Sequence, residues 1–391
     1  MNRKRKLRMG MVGGGQGAFI GAVHRMAANL DGHIELVCGA FSSDPQKSIK
    51  SGHAFYLFDK RCYGSFGEMI TKEKALPEEE RMDFVSIVTP NHMHFEPAKW
   101  ALENGFPVII DKPLAFNYEE AIILQKLVKE TKLPFAVTYT YSAYPMVKQA
   151  KKMVEKGEIG AVRKVMVEYP QGWLTDKLED TDQKQAAWRS DPKKAGISNC
   201  FGDIGTHCAH LAEYITGLKI EKVLSKLTTI VTGRLLDDDA NVLLQFEKGA
   251  SGVLSASQVA TGHENDLMIR IYGEKGGLEW RNQDLNTLKV MPHGAPVRLY
   301  RTGVNHGYLH DVALAHTRTP SGHPEGYIEA FANIYRNFAF AVNQYIEGST
   351  PDLSLMDYPG IDDGVKGMAM VHAVVKSSED GNLWTDVKKN P

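Results

Sequence analysis

The sequence predicts an α/β chain in which a doubly wound parallel sheet of the Rossmann type is followed by an α+β domain built on a large open, mostly antiparallel sheet. Three observations predict it. Short apolar runs alternate with helical patterns up to about residue 140, a glycine-rich turn follows the first run, and from about Met146 the strands lengthen and are joined at hairpin distance.

Leu7–Val12 reads as the first strand, and the helix after the glycine turn runs from about Ile20 to Leu30. Ile34–Ala40 is the second strand, Asp83–Val88 a later one, Val108–Ile110 precedes an Asp-Lys-Pro, and Phe135–Tyr139 closes the sheet. Each run is short and continuously apolar, as strands covered on both faces are. A helix over Met146–Lys156 leads into strands at Val162–Tyr169, Lys222–Thr232, Asn241–Phe246, Gly252–Val259 and Leu267–Tyr272. Glu247–Ala250 and Gly273–Gly277 supply the turns. Long loops are expected around 174–200 and 283–322, and helices at about Gly326–Glu347 and Ile361–Ser377 end the chain. The domains are set at 1–142 and 143–391.

With 391 residues, two domains are expected, each able to bury its own core. Lys+Arg 46 against Asp+Glu 47 leaves no basic footprint for nucleic acid. No run has the length of a membrane span, and the basic Asn2–Lys6 is followed by too many glycines for a signal peptide. Cys38, Cys62, Cys200 and Cys208 show no metal spacing and sit in apolar segments. Buried free thiols, a reducing cytoplasmic location and no metal are the expectation.

Gly13, Gly15 and Ala18 fit G-x-G-x-x-A between a strand and a helix. Such a turn brings backbone close to a pyrophosphate, whose charge the helix N-terminus meets. Gly13, Gly15, Gln16, Gly17, Ala18, Phe19 and Ile20 are therefore the candidate cradle. Lys112 follows a buried strand, where open α/β sheets bind ligands, and Pro113 biases its backbone toward extended geometry. Asp203 and His207 are four apart, on one face of a helix that starts near Gly202–Gly205. A histidine in the first turn feels the positive dipole end, which favours a neutral, proton-accepting ring. The structural alternative makes Asp203 an N-cap and His207 a core histidine.

These motifs together, with Thr89-Pro90-Asn91-His92-Met93-His94 between them, resemble the Gfo/Idh/MocA oxidoreductases over nearly the whole chain. Gly14–Gly21, Pro170–Leu174 and Gly322–Tyr327 are similar to the branch that contains levoglucosan dehydrogenase. The resemblance implies NAD(P)-dependent oxidation of a secondary hydroxyl on a sugar, anhydrosugar or polyol. Lys112 would stabilise the developing alkoxide, His207 would be the general base, and Asp203 would orient it or bind a neighbouring hydroxyl. Thr89, Pro90 and Asn91 would line the nicotinamide riboside, with His94, Asp111 and Lys112 beside them. The family usually has Glu where this chain has Asp111, which keeps the charge and shortens the reach. Tyr139, Tyr141, Trp173, Arg189 and His323 are substrate candidates, each compatible with plain packing.

No acidic residue ends the second strand; Ser42 and Ser43 can bond a ribose hydroxyl or a phosphate, and Lys47 adds charge for NADP. NAD is the expected cofactor and NADP the alternative. Two other function classes stay open. One is a redox-cycling glycoside hydrolase or lyase working through a transient 3-keto sugar, with Tyr139, Tyr141 or Tyr144 as a further base. The other is a catalytically silent binding member. Arg163, Arg189, Arg234 and Arg318 serve either an anionic sugar or ion pairs. Apolar residues on both alternating sets of the second sheet's strands predict a homo-oligomer, tetramer ahead of dimer.

Overall fold

The computed structural model describes residues 5–181, 183–350 and 356–388. The first sheet contains β1 (Leu7–Gly13), β2 (Ile34–Ala40), β3 (Phe84–Val88), β4 (Val108–Ile110) and β5 (Phe135–Val137), interleaved with α1 (Phe19–Leu30), α2 (Pro45–Ala54), α3 (Phe66–Ala75), α4 (Phe95–Glu103) and α5 (Tyr118–Thr131). Its order is β2-β1-β3-β4-β5 and every pair is parallel. Every residue of β3, β4 and β5 is buried, which is why these runs read as continuously apolar. Caps set the helix starts: Asp44 accepts from the Gln46 and Lys47 amides ahead of Pro45, and Asn117 from the Glu120 amide.

The chain continues through α6 (Pro145–Glu155), β6 (Val162–Pro170), α7 (Lys184–Arg189), α8 (Pro192–Ala195) and α9 (Thr206–Thr216). The meander that follows is β7 (Ile220–Thr228), β8 (Asp239–Phe246), β9 (Ser251–Ser257), β10 (Met268–Gly273), β11 (Gly276–Arg281), β12 (Thr287–Pro292) and β13 (Arg298–Arg301), then α10 (Asp311–Leu314). Two long helices, α11 (Tyr327–Glu347) and α12 (Ile361–Glu379), precede the short β14 (Thr385–Asp386). The second sheet has nine strands in the order β13-β12-β11-β10-β6-β9-β8-β7-β14. All neighbours are antiparallel except β6 and β9. Val165, Val167, Leu254, Ala256, Ile269, Ile271 and Trp280 bury its inner face, on which α6 and α9 pack. The expected loop at 283–322 contains β12, β13 and α10. Its polar edge strand, Arg298-Leu299-Tyr300-Arg301, hides the alternation that marks a half-buried strand.

Contacts divide the chain into Met1–Thr140 with Tyr327–Val365, and Tyr141–Gly326 with Lys366–Pro391. The sequence reading kept 143–391 together; instead α11 packs against α1, and the Tyr335 hydroxyl lies 2.8 Å from both His24 Nδ1 and Ser86 Oγ. Among the described residues no helix is long and apolar enough to cross a membrane. All four cysteines are buried free thiols.

Candidate active site

In the first unit the chemistry-bearing residues gather at the C-terminal ends of the parallel strands. The helix α1 starts at Ala18 without a side-chain cap, so its first amides are left for an anion. A β-carbon built on Gly21 would lie 2.4 Å from the Gly14 α-carbon and 2.5 Å from its carbonyl oxygen. Gly21, which lies outside the G-x-G-x-x-A match, therefore provides the close approach of the loop to the helix. Gln16, Gly17 and Phe19 are exposed, Ala18 and Ile20 half-buried, and Gly15 is packed under Phe41 and Ser51. This cradle fits a dinucleotide.

Beyond β2, the Ser42 hydroxyl accepts from the Asp44 amide, and Asp44 lies 4.0 Å from Lys47. The cation foreseen for NADP thus already faces a carboxylate. Glu35 sits at the start of β2, far along the strand from this end.

The loops after β3 and β4 are tied together by one ring. His94, buried just ahead of α4, has Nδ1 2.8 Å from the Pro113 carbonyl oxygen and Nε2 2.7 Å from that of Thr89. Two carbonyl acceptors suit a doubly protonated ring, whereas complete burial pulls its pKa below the ordinary histidine value. His94 therefore acts on its surroundings by fixing these two loops. Asp111 Oδ1 accepts from the Lys112 amide at 2.9 Å and the Thr138 hydroxyl at 2.7 Å, so the shortened carboxylate holds the backbone beneath Lys112. The Thr89 hydroxyl donates to Met93, which closes the Pro90–His94 turn; His92 is exposed on it and Asn91 half-buried. Tyr139 is wholly buried.

The second unit brings Asp203 and His207 together with residues from three other segments. The helix carrying them begins earlier than expected. The Asp237 carboxylate accepts from the Asn199 and Phe201 amides at 2.9 and 2.8 Å, capping the helix there. A π turn, with the Thr206 amide donating to the Phe201 carbonyl, then spans Phe201–Gly205 before α9. A β-carbon on Gly205 would lie 2.4 Å from the Phe201 ring, so the turn depends on that glycine. Asp203 is thus not an N-cap, and His207 lies beyond the first turn. The dipole argument for its neutrality weakens accordingly.

Asp203 Oδ2 accepts from Arg189 Nε at 3.1 Å and from Gln258 Nε2 at 2.9 Å. Arg189 is itself held: its Nη1 donates to the Gln185 side chain at 2.6 Å, and its guanidinium lies 4.2 Å over the Trp188 ring. The edge of the Tyr141 ring meets His207 at 4.9 Å between centroids. The Tyr141 hydroxyl bonds that of Tyr169 and accepts from Asn265 Nδ2 at 2.9 Å; Asn265 Oδ1 accepts from Tyr169 and Gln171, and Gln171 Oε1 from the Trp173 indole at 3.0 Å. Burial pushes the Tyr139 and Tyr141 hydroxyls above the usual tyrosine value. Burial and the carboxylates of Asp237, Asp239 and Asp203 do the same to the Cys200 thiol. His323 is exposed in a turn, its carbonyl accepting from Thr319. The sequence reading found Asp203, His207, Tyr141, Trp173 and Arg189 but missed Gln258, Asn265, Gln171 and Tyr169. The available signal was their place at or just beyond the ends of β6 and β9 and ahead of β10.

Residues 7–139 match the oxidoreductase family with an NAD-binding Rossmann fold, and residues 147–279 match the GFO/IDH/MocA C-terminal domain. The chain belongs to the Gfo/Idh/MocA oxidoreductase family. It is 34% identical to the Bacillus subtilis oxidoreductase YfiI over 98% of this chain and 97% of that one. The crystal structure of an inositol dehydrogenase homolog from Azotobacter vinelandii, complexed with NAD+, superposes with a TM-score of 0.93 at 34% identity, covering 98% of each chain. Levoglucosan dehydrogenase from Pseudarthrobacter phenanthrenivorans is 27% identical over 73% of this chain and 76% of its own. The first unit of this family member is an NAD-binding Rossmann domain, in keeping with its uncapped α1 and its Gly14–Gly21 contact.

Proposed function

We propose that the protein is an NAD-dependent dehydrogenase that oxidises a secondary hydroxyl of a sugar, anhydrosugar or polyol. The observation that carries the reading is Asp203, held by Arg189 and Gln258 one helical step from His207, in a family whose Azotobacter vinelandii relative was solved with NADH and myo-inositol. NAD, when bound, supplies the hydride acceptor. Gly13, Gly15, Gln16, Gly17, Ala18, Phe19 and Ile20 hold its pyrophosphate, Ser42 and Ser43 its ribose, and Thr89, Pro90 and Asn91 the nicotinamide riboside. His207 removes the hydroxyl proton, Lys112 stabilises the charge growing on that oxygen, and Asp203 aligns His207 or accepts from a neighbouring hydroxyl. Half-buried Trp173 offers ring surface to a sugar, while Tyr141 packs behind His207.

The redox-cycling alternative needs a further base; burial lifts the Tyr139 and Tyr141 hydroxyls away from that task near neutral pH, which leaves Tyr144 as its candidate. The same reading makes the protein cytoplasmic, as its four buried thiols suit, and a homo-oligomer through its second sheet.

The test is a screen of sugars, anhydrosugars and inositols with NAD, following NADH absorbance and product release together. Net NADH is expected with at least one compound; Lys112→Ala or His207→Ala should lower kcat by about 10²- to 10⁴-fold, with NAD affinity kept in His207→Ala. Product release without net NADH would replace the dehydrogenase with the cycling enzyme.

A further inference from the structure

We infer that the cavity between α1, β2 and the end of α2 is a second ligand site, one that takes a small aryl carboxylate and weakens NAD binding when filled. The cavity measures about 370 Å³, at the lower end of the range of small-molecule sites. Met9, Ile34 and Leu36 give it an apolar floor, and Phe55 and Tyr56 an aromatic wall, with Tyr56 96% exposed. All of it belongs to the first unit. Ile34 and Leu36 stand at the start of β2, whereas a parallel sheet of this kind binds its nucleotide beyond the C-terminal ends of the strands. The cavity is therefore separate from the nucleotide crevice.

Two charged residues line this surface, Arg25 and Glu35. Glu35 stands opposite Arg8 in the strand register and its charge acts on Arg5 and Arg8, so Arg25 is left without an acid. The Arg25 guanidinium lies 3.8 Å over the Phe55 ring, and its Nη1 donates to the Gly14 carbonyl at 2.6 Å. Nε and Nη2 have no hydrogen-bond partner among the described residues. Burial pulls the arginine below its ordinary pKa, with no carboxylate to offset it. A half-buried charge without a counter-charge is costly, and a bound anion recovers that cost. Nε and Nη2 form the side-on fork that receives both oxygens of a carboxylate, while a ring attached to that carboxylate covers the apolar floor and Tyr56.

The same arginine steadies the glycine loop from behind. Phe55 adds a second link, since its ring meets Phe41 edge-on at 5.1 Å and the Phe41 carbonyl accepts from the Gly15 amide at 3.2 Å. A carboxylate on Arg25 draws on the guanidinium that holds Gly14, and it sets a negative charge behind a loop that receives a pyrophosphate. Both effects lower NAD affinity. By linkage, NAD lowers the affinity for the carboxylate by the same factor.

The test titrates the full chain calorimetrically with 3-phenylpropionate, its neutral amide and acetate, with and without NADH. The aryl carboxylate should bind saturably, about tenfold or more tighter than the amide, and acetate more weakly than either because it lacks the ring. Equal affinity of acid and amide, or no binding of the acid, overturns the site. The Kd for NADH should rise about fivefold or more and level off as the acid saturates. A rise without a plateau puts the acid in the nucleotide crevice and overturns the inference, and an unmoved Kd overturns the coupling. Ala54→Trp fills the cavity from its exposed side and should abolish binding of the acid while NADH affinity stays that of the parent. Acid binding that survives this change overturns the site. Arg25→Gln should bring acid and amide to equal affinity, and a preserved preference for the acid overturns the role of Arg25.

Discussion

Burial holds His24 neutral at physiological pH. Its ring sits against Phe331 at 5.0 Å, with Nδ1 on the Tyr335 hydroxyl, and removal from water lowers its pKa to about 4 from the ordinary 6.5. The folded value lies below the unfolded one, so between these pH values the unfolded chain binds the extra proton. Stability is therefore whole at pH 7 and falls as the pH drops from about 6.5 to 4, by about 3 kcal/mol in all for this ring. His94, lowered in the same direction, adds to the slope. Urea unfolding at pH 7 and pH 5 should show His24→Gln losing less stability on acidification than the parent. Equal losses would mean that His24 is already charged in the fold. Lys112, Asp203 and His207 could be named as candidates from sequence because strand ends and a four-residue spacing are local signals. Gln258 was not, since it meets Asp203 across 55 residues of sequence and nothing local distinguishes it from any strand-end glutamine.

At the scale of elements, the contact between the glycine loop and α1 can be separated from the stability of the helix. Alanine is favoured over glycine inside a helix by about 1 kcal/mol, so Gly21→Ala should leave α1 formed. Its methyl group nevertheless meets Gly14 backbone, which cannot rotate away, and the loop must lift. The expected outcome is NAD affinity reduced about tenfold or more, a loss of roughly 1.4 kcal/mol or greater, with an unchanged circular dichroism spectrum. Undiminished affinity in a fluorescence titration would show that the loop is not the cradle. The strands β3, β4 and β5 were readable because continuous burial leaves an unbroken apolar run. The early capped start of the helix at Asn199–Phe201 was hidden, because the capping Asp237 comes from the far side of a 38-residue excursion.

For the whole molecule, the outer face of the second sheet carries one apolar row. Met166 pairs with Val253, Val253 with Leu243 and Leu243 with Leu224, all outside the buried set, with Leu243 45% exposed. Polar rows flank it: Glu168, Ser255, Asn241 and Lys226 on one side, Lys164, Ser251, Gln245 and Lys222 on the other. A greasy seam with a polar rim suits a second copy of the same sheet laid across it, and doubling that dimer gives the expected tetramer. Light scattering should return a multiple of the 43.4 kDa chain, and Leu243→Glu should shift it toward the single-chain mass. A single-chain mass for the parent at micromolar concentration would rule the assembly out.

The return of α11 to the first unit has a consequence for biosynthesis. Tyr335 completes the hydrogen bonds of His24 and Ser86, yet the ribosome reaches Tyr327 only after making the intervening 141–326 stretch. At about 5–20 residues per second, the nascent nucleotide-binding half waits roughly ten to forty seconds with the α11-facing side of α1 uncovered. Chaperone occupancy on ribosome-bound chains should therefore persist through that interval and end once the segment bearing Tyr335 has left the exit tunnel.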